Sequence, residues 1–116
     1  MSPDTQTSPA PFDVRITALR QTAYADLSAL YELPLAEPCT VRTGDSWVSH
    51  RARRPESLCP VAWECMRRYV EELAAGRGRF HGNWMRNPYS ALVNCNDGFR
   101  PMSFLLEALR PSAPTV

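Results

Sequence analysis

Cys59, Cys95, Asp97 and Arg100 are the residues whose types and spacing could carry chemistry. Three of them fall in Asn94-Cys95-Asn96-Asp97-Gly98-Phe99-Arg100-Pro101-Met102-Ser103-Phe104, where a thiol, a carboxylate and a guanidinium flank an Asp-Gly turn signal. Cys59 precedes Pro60, and proline suits the first residue of a helix because its missing N–H is not needed there. Cys59 is then the helix cap, its sulfur against free N–H groups, where the peptide dipoles favour a thiolate and lower the thiol's pKa. A nucleophilic or redox cysteine would use that position. The plain alternative is a small buried residue at a helix start.

The hairpin can close on a two-residue Asp97-Gly98 loop or a four-residue loop from Asn96 to Phe99, and both put Cys95 opposite Arg100. Pro101 favours the longer loop, because it then falls in a non-hydrogen-bonded pair where its absent N–H costs nothing. Its other side should be a sheet edge or a bulge. One face of the hairpin carries Ala91, Val93, Cys95, Arg100, Met102, Phe104 and Leu106. An arginine on such an apolar layer needs a partner. Asp97, an anionic substrate or the Cys95 thiolate would serve, and the plain alternative is an Asp97–Arg100 bridge that clamps the turn.

Other chemistry is less well supported. The spacing Cys39-x19-Cys59-x5-Cys65-x29-Cys95 has no C-x2-C pair of the kind structural zinc sites use. No metal site is therefore assigned, although a thiol-based metal or iron–sulfur binder stays open as an alternative. His50 and His81 lie in loops, as does the basic run His50-Arg51-Ala52-Arg53-Arg54. Trp63 and Trp84, with His81 and Arg86, are candidates to line a substrate pocket. No phosphate-binding loop, dinucleotide fingerprint, nucleophile elbow or H-E-x-x-H occurs, so no cofactor is named.

The elements that must position these residues follow from periodicity. Phe12, Val14, Ile16 and Ala18 alternate with polar residues and predict a half-buried strand. Thr22 is placed to cap a short helix running to about Tyr31, with Ala23, Leu27, Leu30 and Tyr31 on one face and Pro34 as its stop. Cys39 to Arg42 and Ser46 to Ser49 are short strand candidates around Gly44-Asp45. A longer helix is expected from Pro60 to Ala75 with Val61, Cys65, Met66, Tyr69, Val70 and Leu73 inward, Glu64 pairing with Arg68, and Gly76 as the stop. A Gly, Arg and aromatic loop (76–89) leads to strands at roughly 90–95 and 100–109.

Four to five mainly antiparallel strands, one long helix and one short one, without βαβ alternation, predict a small α+β domain over 12–109. Residues 1–11 and 110–116 read as tails. At 116 residues and a net charge of +1, the chain lacks the basic excess of a nucleic-acid binder. All 13 of its basic residues are arginine, which fits a GC-rich genome. No segment approaches the ~18 apolar residues of a membrane span, and Met1 to Gln6 have no secretory character. A cytoplasmic protein with reduced thiols is the expectation. A small-molecule ligand is the expected partner, neither nucleic acid nor membrane is, and a homo-oligomer or protein partner stays open.

Three stretches together carry a resemblance: Pro55-Glu56-Ser57-Leu58-Cys59-Pro60-Val61-Ala62-Trp63, Trp84-Met85-Arg86-Asn87-Pro88, and Cys95 through Phe104. The chain resembles an uncharacterised group of small, sometimes tandem, bacterial and archaeal proteins with P-E-G-x-C-x-x-A-W, W-x-K-x-P and C-x-D-G-x-R-P-V-x-F motifs. It departs at Ser57, where that group tends to have Gly, and at Asn94, where many members have a second Cys. The resemblance implies one complete unit with Cys59 and Cys95 in its signature, and it implies no activity. Three functions are thus carried forward. The leading one is a small-molecule enzyme or ligand-binding protein, its pocket between Cys59 and the hairpin and its ligand anionic. The others are a thiol-based metal binder and an interaction module presenting Arg77, Arg79, His81 and Arg86.

Overall fold

The computed structural model describes residues 11–34 and 40–110, so Cys39 lies outside the described residues. Four strands, β1 (Asp13–Gln21), β2 (Ser46–Ser49), β3 (Ser90–Asn94) and β4 (Met102–Leu109), form one antiparallel sheet in the order β2-β1-β4-β3. Helices α1 (Ala25–Tyr31), α2 (Pro60–Ala74) and the short α3 (Phe80–Asn83) complete an α+β domain. Strands are segregated from α2, which covers one sheet face.

β1 follows the alternation in its sequence: Val14, Ile16 and Ala18 are buried and Arg15 and Arg20 are exposed. A bulge at Leu19 interrupts its pairing with β4 between Ala18 and Arg20. Residues 40–42 form no strand. Instead Asp45 N–H donates to Arg42 O (2.9 Å) and Arg42 N–H to Asp45 Oδ2 (2.9 Å), a turn that delivers β2 to the edge of β1.

α1 begins later than Thr22 would start it. The N–H groups of Thr22 and Tyr24 donate to Pro101 O (3.0 Å) and Phe99 O (2.9 Å), so this segment runs along the hairpin loop before the helix turns. Tyr24 is the cap, without a side-chain bond, and no residue of α1 is buried. The expected apolar face of Ala23, Leu27, Leu30 and Tyr31 is therefore exposed.

α2 starts at Pro60 and ends in a Schellman motif: Gly76, at φ 92°, donates to Leu73 O while Arg77 N–H reaches Glu72 O. Only Gly takes that left-handed backbone without a Cβ penalty. The helix is rotated from the expected stripe. Ala62, Trp63, Met66, Val70, Leu73 and Ala74 face the sheet, while Val61 is 56% exposed and Cys65 and Tyr69 are partly so. On the outer face Arg67 bonds both Glu64 (3.3 Å) and Glu71 (3.1 Å), in place of the expected Glu64–Arg68 pair. Met66, Val70 and Leu73 pack with Ile16, Phe104 and Leu106 in one core.

Candidate functional site

The β3–β4 hairpin is where the structure departs most from expectation. Ala91 pairs with Leu106, Val93 with Phe104 and Asn94 with Ser103. Cys95 N–H donates to Met102 O (3.0 Å), so Cys95 lies opposite Met102, not Arg100. The connection accordingly runs from Asn96 to Pro101. Because the register moved by two residues, Cys95 keeps the face that carries Met102 and Phe104. Arg100 leaves the ladder for the loop, and the chain beyond Pro101 pairs with β1 as well as β3, so no sheet edge lies there. The nearest irregularity is the Leu19 bulge.

Asp97 sets this longer loop. Its Oδ1 accepts the N–H groups of Phe99 (2.8 Å) and Arg100 (3.1 Å), an arrangement in which the side chain replaces a ladder partner. Burial pushes the Asp97 carboxyl up, but the two backbone donors and the Arg100 charge outweigh it and hold it below the ordinary value. Oδ2 has no protein partner among the described residues.

The Arg100 guanidinium turns away from Cys95 and grips α1. Nη1 donates to Glu32 Oε1 (3.0 Å) and Ser28 Oγ (3.3 Å), and Nη2 pairs with Glu32 Oε2. The side chains of Arg100 and Glu32 are only 29% and 16% exposed. The Arg100 hydrogen bonds hold the Glu32 carboxyl below its ordinary value, against the burial that pushes it up. The expected partner, the Asp97 carboxylate, receives the Arg100 backbone instead.

Cys59 is the α2 cap as the sequence predicts, yet its sulfur makes no capping hydrogen bond. The approach to it is fixed from behind. Leu58 is buried, Arg54 Nη1 donates to Leu58 O (2.7 Å), and Trp47 Nε1–H donates to Ser57 Oγ (3.0 Å). Ser57, where the resembled group tends to have Gly, thus ties the segment before Cys59 to β2.

These elements enclose a cavity of about 280 Å³ lined by both Cys59 and Cys95. Val41, Ala62, Met102 and Phe104 supply its apolar wall; Gln21, Asn96, Asp97 and Arg100 supply its polar rim. The Cys95 sulfur accepts the Met102 N–H (3.3 Å), which orients it. Cys59, Cys65 and Cys95 are all free thiols. Among the described residues no group of three or more His, Cys, Asp or Glu could hold a metal ion.

The remaining candidates do not line this cavity. Trp63 belongs to the core, and Trp84 is 83% exposed on the 76–89 loop together with Arg86. His81 stacks near Tyr69 (5.7 Å between ring centres), and its buried Nε2 has no partner among the described residues. Cys65 lies on α2, outside the lining. His50 is tied to Asp13 (2.8 Å). Sequence reasoning missed Gln21, Asn96 and Glu32. Glu32 had no local signal, because it meets Arg100 across 68 positions. Among the described residues no helix is long and apolar enough to cross a membrane. Comparison with protein-family models, curated proteins and solved structures finds no match.

Proposed function

We propose that the protein binds a small molecule in the cavity between the α2 N-terminus and the β3–β4 loop, and that Cys59 and Cys95 are its reactive groups. The observation that carries this is the convergence of two free thiols, from elements far apart in sequence, on one cavity of about 280 Å³. A concave apolar site with a few convergent polar groups is the usual form of a small-ligand site. Cys59 is the nucleophile of choice. Its sulfur is not used as a cap, and it stands where the peptide dipoles of α2 present their positive end. Cys95, oriented by the Met102 N–H, is the second thiol. Asp97 is the group that shapes the loop and offers its second carboxylate oxygen.

The free state of the three described cysteines supports a reducing, cytoplasmic setting, and the motifs around Cys59 and Cys95 support membership of the small bacterial and archaeal group that the sequence resembles.

A cavity of this size accommodates one small adduct. In a variant with Cys39 and Cys65 replaced by Ser, a neutral maleimide is expected to label either Cys59 or Cys95, and labelling of one should exclude the other. Intact mass and peptide mapping read the result. Two independent adducts per chain, each formed at the rate seen in the single-cysteine variants, would rule out a shared site.

A further inference from the structure

We propose that the cavity selects a small ligand with a cationic, hydrogen-bond-donating end, such as an amine, on an apolar body. This rests on the cavity reading above and deepens it by giving the ligand its charge. It also reverses the anionic ligand that the sequence alone implies from Arg100 beside Cys95. Among the described lining residues only Asp97 and Arg100 are charged. Both terminal nitrogens of Arg100 are committed to the Glu32 carboxylate, with Ser28 as an additional acceptor. That pair is neutral as a unit, so a carboxylate ligand meets no net positive charge there, only the Nε–H and the second Nη2–H that Glu32 and Ser28 leave over. Arg54 has its Nη1 bound to the Leu58 carbonyl (2.7 Å), and it does not line the cavity.

Asp97 feels the Arg100 charge but forms no salt bridge with it among the described residues. Its Oδ1 is occupied by two backbone N–H groups, which leave the charge in place, and its Oδ2 has no partner among the described residues. The neutral rim groups are compatible with a donor. Gln21 uses its Nε2 to bind Arg100 O (3.1 Å), leaving its amide oxygen as an acceptor. Apolar wall, one carboxylate and an acceptor amide together describe a site for an alkylammonium group, with Met102 and Phe104 against its hydrocarbon part.

The two cavity thiols report this polarity directly. Aminoethyl methanethiosulfonate is cationic and sulfonatoethyl methanethiosulfonate is anionic, and both add to a thiol with loss of methanesulfinate. Their rates at Cys59 and Cys95, read by peptide-resolved mass spectrometry at neutral pH and divided by their rates with free cysteine, give a charge preference. The cation should be favoured about tenfold, as one partly screened carboxylate a few ångströms away would impose. Asp97→Asn keeps a side-chain oxygen for the Phe99 and Arg100 N–H groups, so the loop survives, and the preference should fall to within about twofold of unity. Asn96→Asp, which adds a carboxylate to the same rim, should raise it, so the test does not depend on one variant folding. A preference for the anion, or a ratio that neither variant moves, overturns the charge assignment and leaves the shared cavity standing. If neither reagent reaches Cys59 or Cys95, the cavity reading fails and this inference with it.

Discussion

α2 and α1 are helices on either side of the candidate cavity's rim, one of 15 residues and one of 7, and they are attached by opposite means. α2 buries six residues against the sheet, and Arg67 pairs with Glu64 and Glu71 on its outer face. α1 buries none. Its attachments are the Tyr24 bond to the hairpin loop and the grip of Arg100 on Ser28 and Glu32. Apolar burial is non-directional and scales with area, whereas a polar attachment depends on one geometry and on the charge state of both partners. The cavity lies between these regimes. Its Cys59 wall is set by the rigid packing of α2, and its Arg100 rim is set by an ion pair that can be switched off.

The largest effect should come from the α2 side. Met66 is fully buried, so Met66→Ala removes most of a core side chain and leaves a void that the sheet fills only in part. A loss of about 2–5 kcal/mol in urea unfolding is expected, with α1 and α2 unfolding together. A loss under about 1 kcal/mol would mean that α2 is not the centre of the packing, and the contrast between the helices would collapse.

The α1 side should respond locally. Glu32→Gln removes the charge that Arg100 grips while keeping the side-chain length. Amide protection across residues 25–32 should drop, with the global unfolding midpoint nearly unchanged. Acid should do the same. The Glu32 carboxyl lies below its ordinary value of 4.5 in the folded protein. The stabilisation from this pair is therefore complete above pH 4.5 and is lost as pH falls through the lower folded value. Protection of α1, corrected for intrinsic exchange, should fade in that window before protection of α2 does. Simultaneous loss in both helices would show that α1 is coupled to the core by something other than the ion pair.

The same contrast explains what the sequence could and could not disclose. Val14, Ile16 and Ala18, or Met102, Phe104 and Leu106, were legible because burial imposes a period of two on neighbouring positions. Pro60 and Gly76 were legible because each end of α2 has a local stereochemical requirement. The hairpin register was misread by two residues because Asp97 bonds the backbone of Phe99 and Arg100, so the loop is shaped by its own side chain more than by ladder pairing. The face of Cys95 survived the error only because the shift was even. Arg100 was correctly seen to need a partner, yet nothing near it in sequence points to Glu32. Trp63 is core rather than pocket lining, because α2 turns its Ala62–Trp63 side toward the sheet and leaves Val61 outside.

The smallest expected effect tests whether α1 is as unpacked as its burial says. Leu30 is 70% exposed and Tyr31 is 74% exposed. An apolar side chain already in water loses little when it is replaced, so Leu30→Ser should change stability by no more than about 0.5 kcal/mol. The helix itself supplies little compensating cost, since Ser is only slightly poorer than Leu in helix propensity. Measured beside Met66→Ala under the same denaturant, the two substitutions should differ several-fold. If Leu30→Ser instead cost more than about 1 kcal/mol, its side chain would have to be packed in solution, since propensity alone does not reach that figure. The comparison would then reverse: α1 would be held by burial, with Arg100–Glu32 as a consequence of its position, and the rim of the cavity would be as rigid as its Cys59 wall.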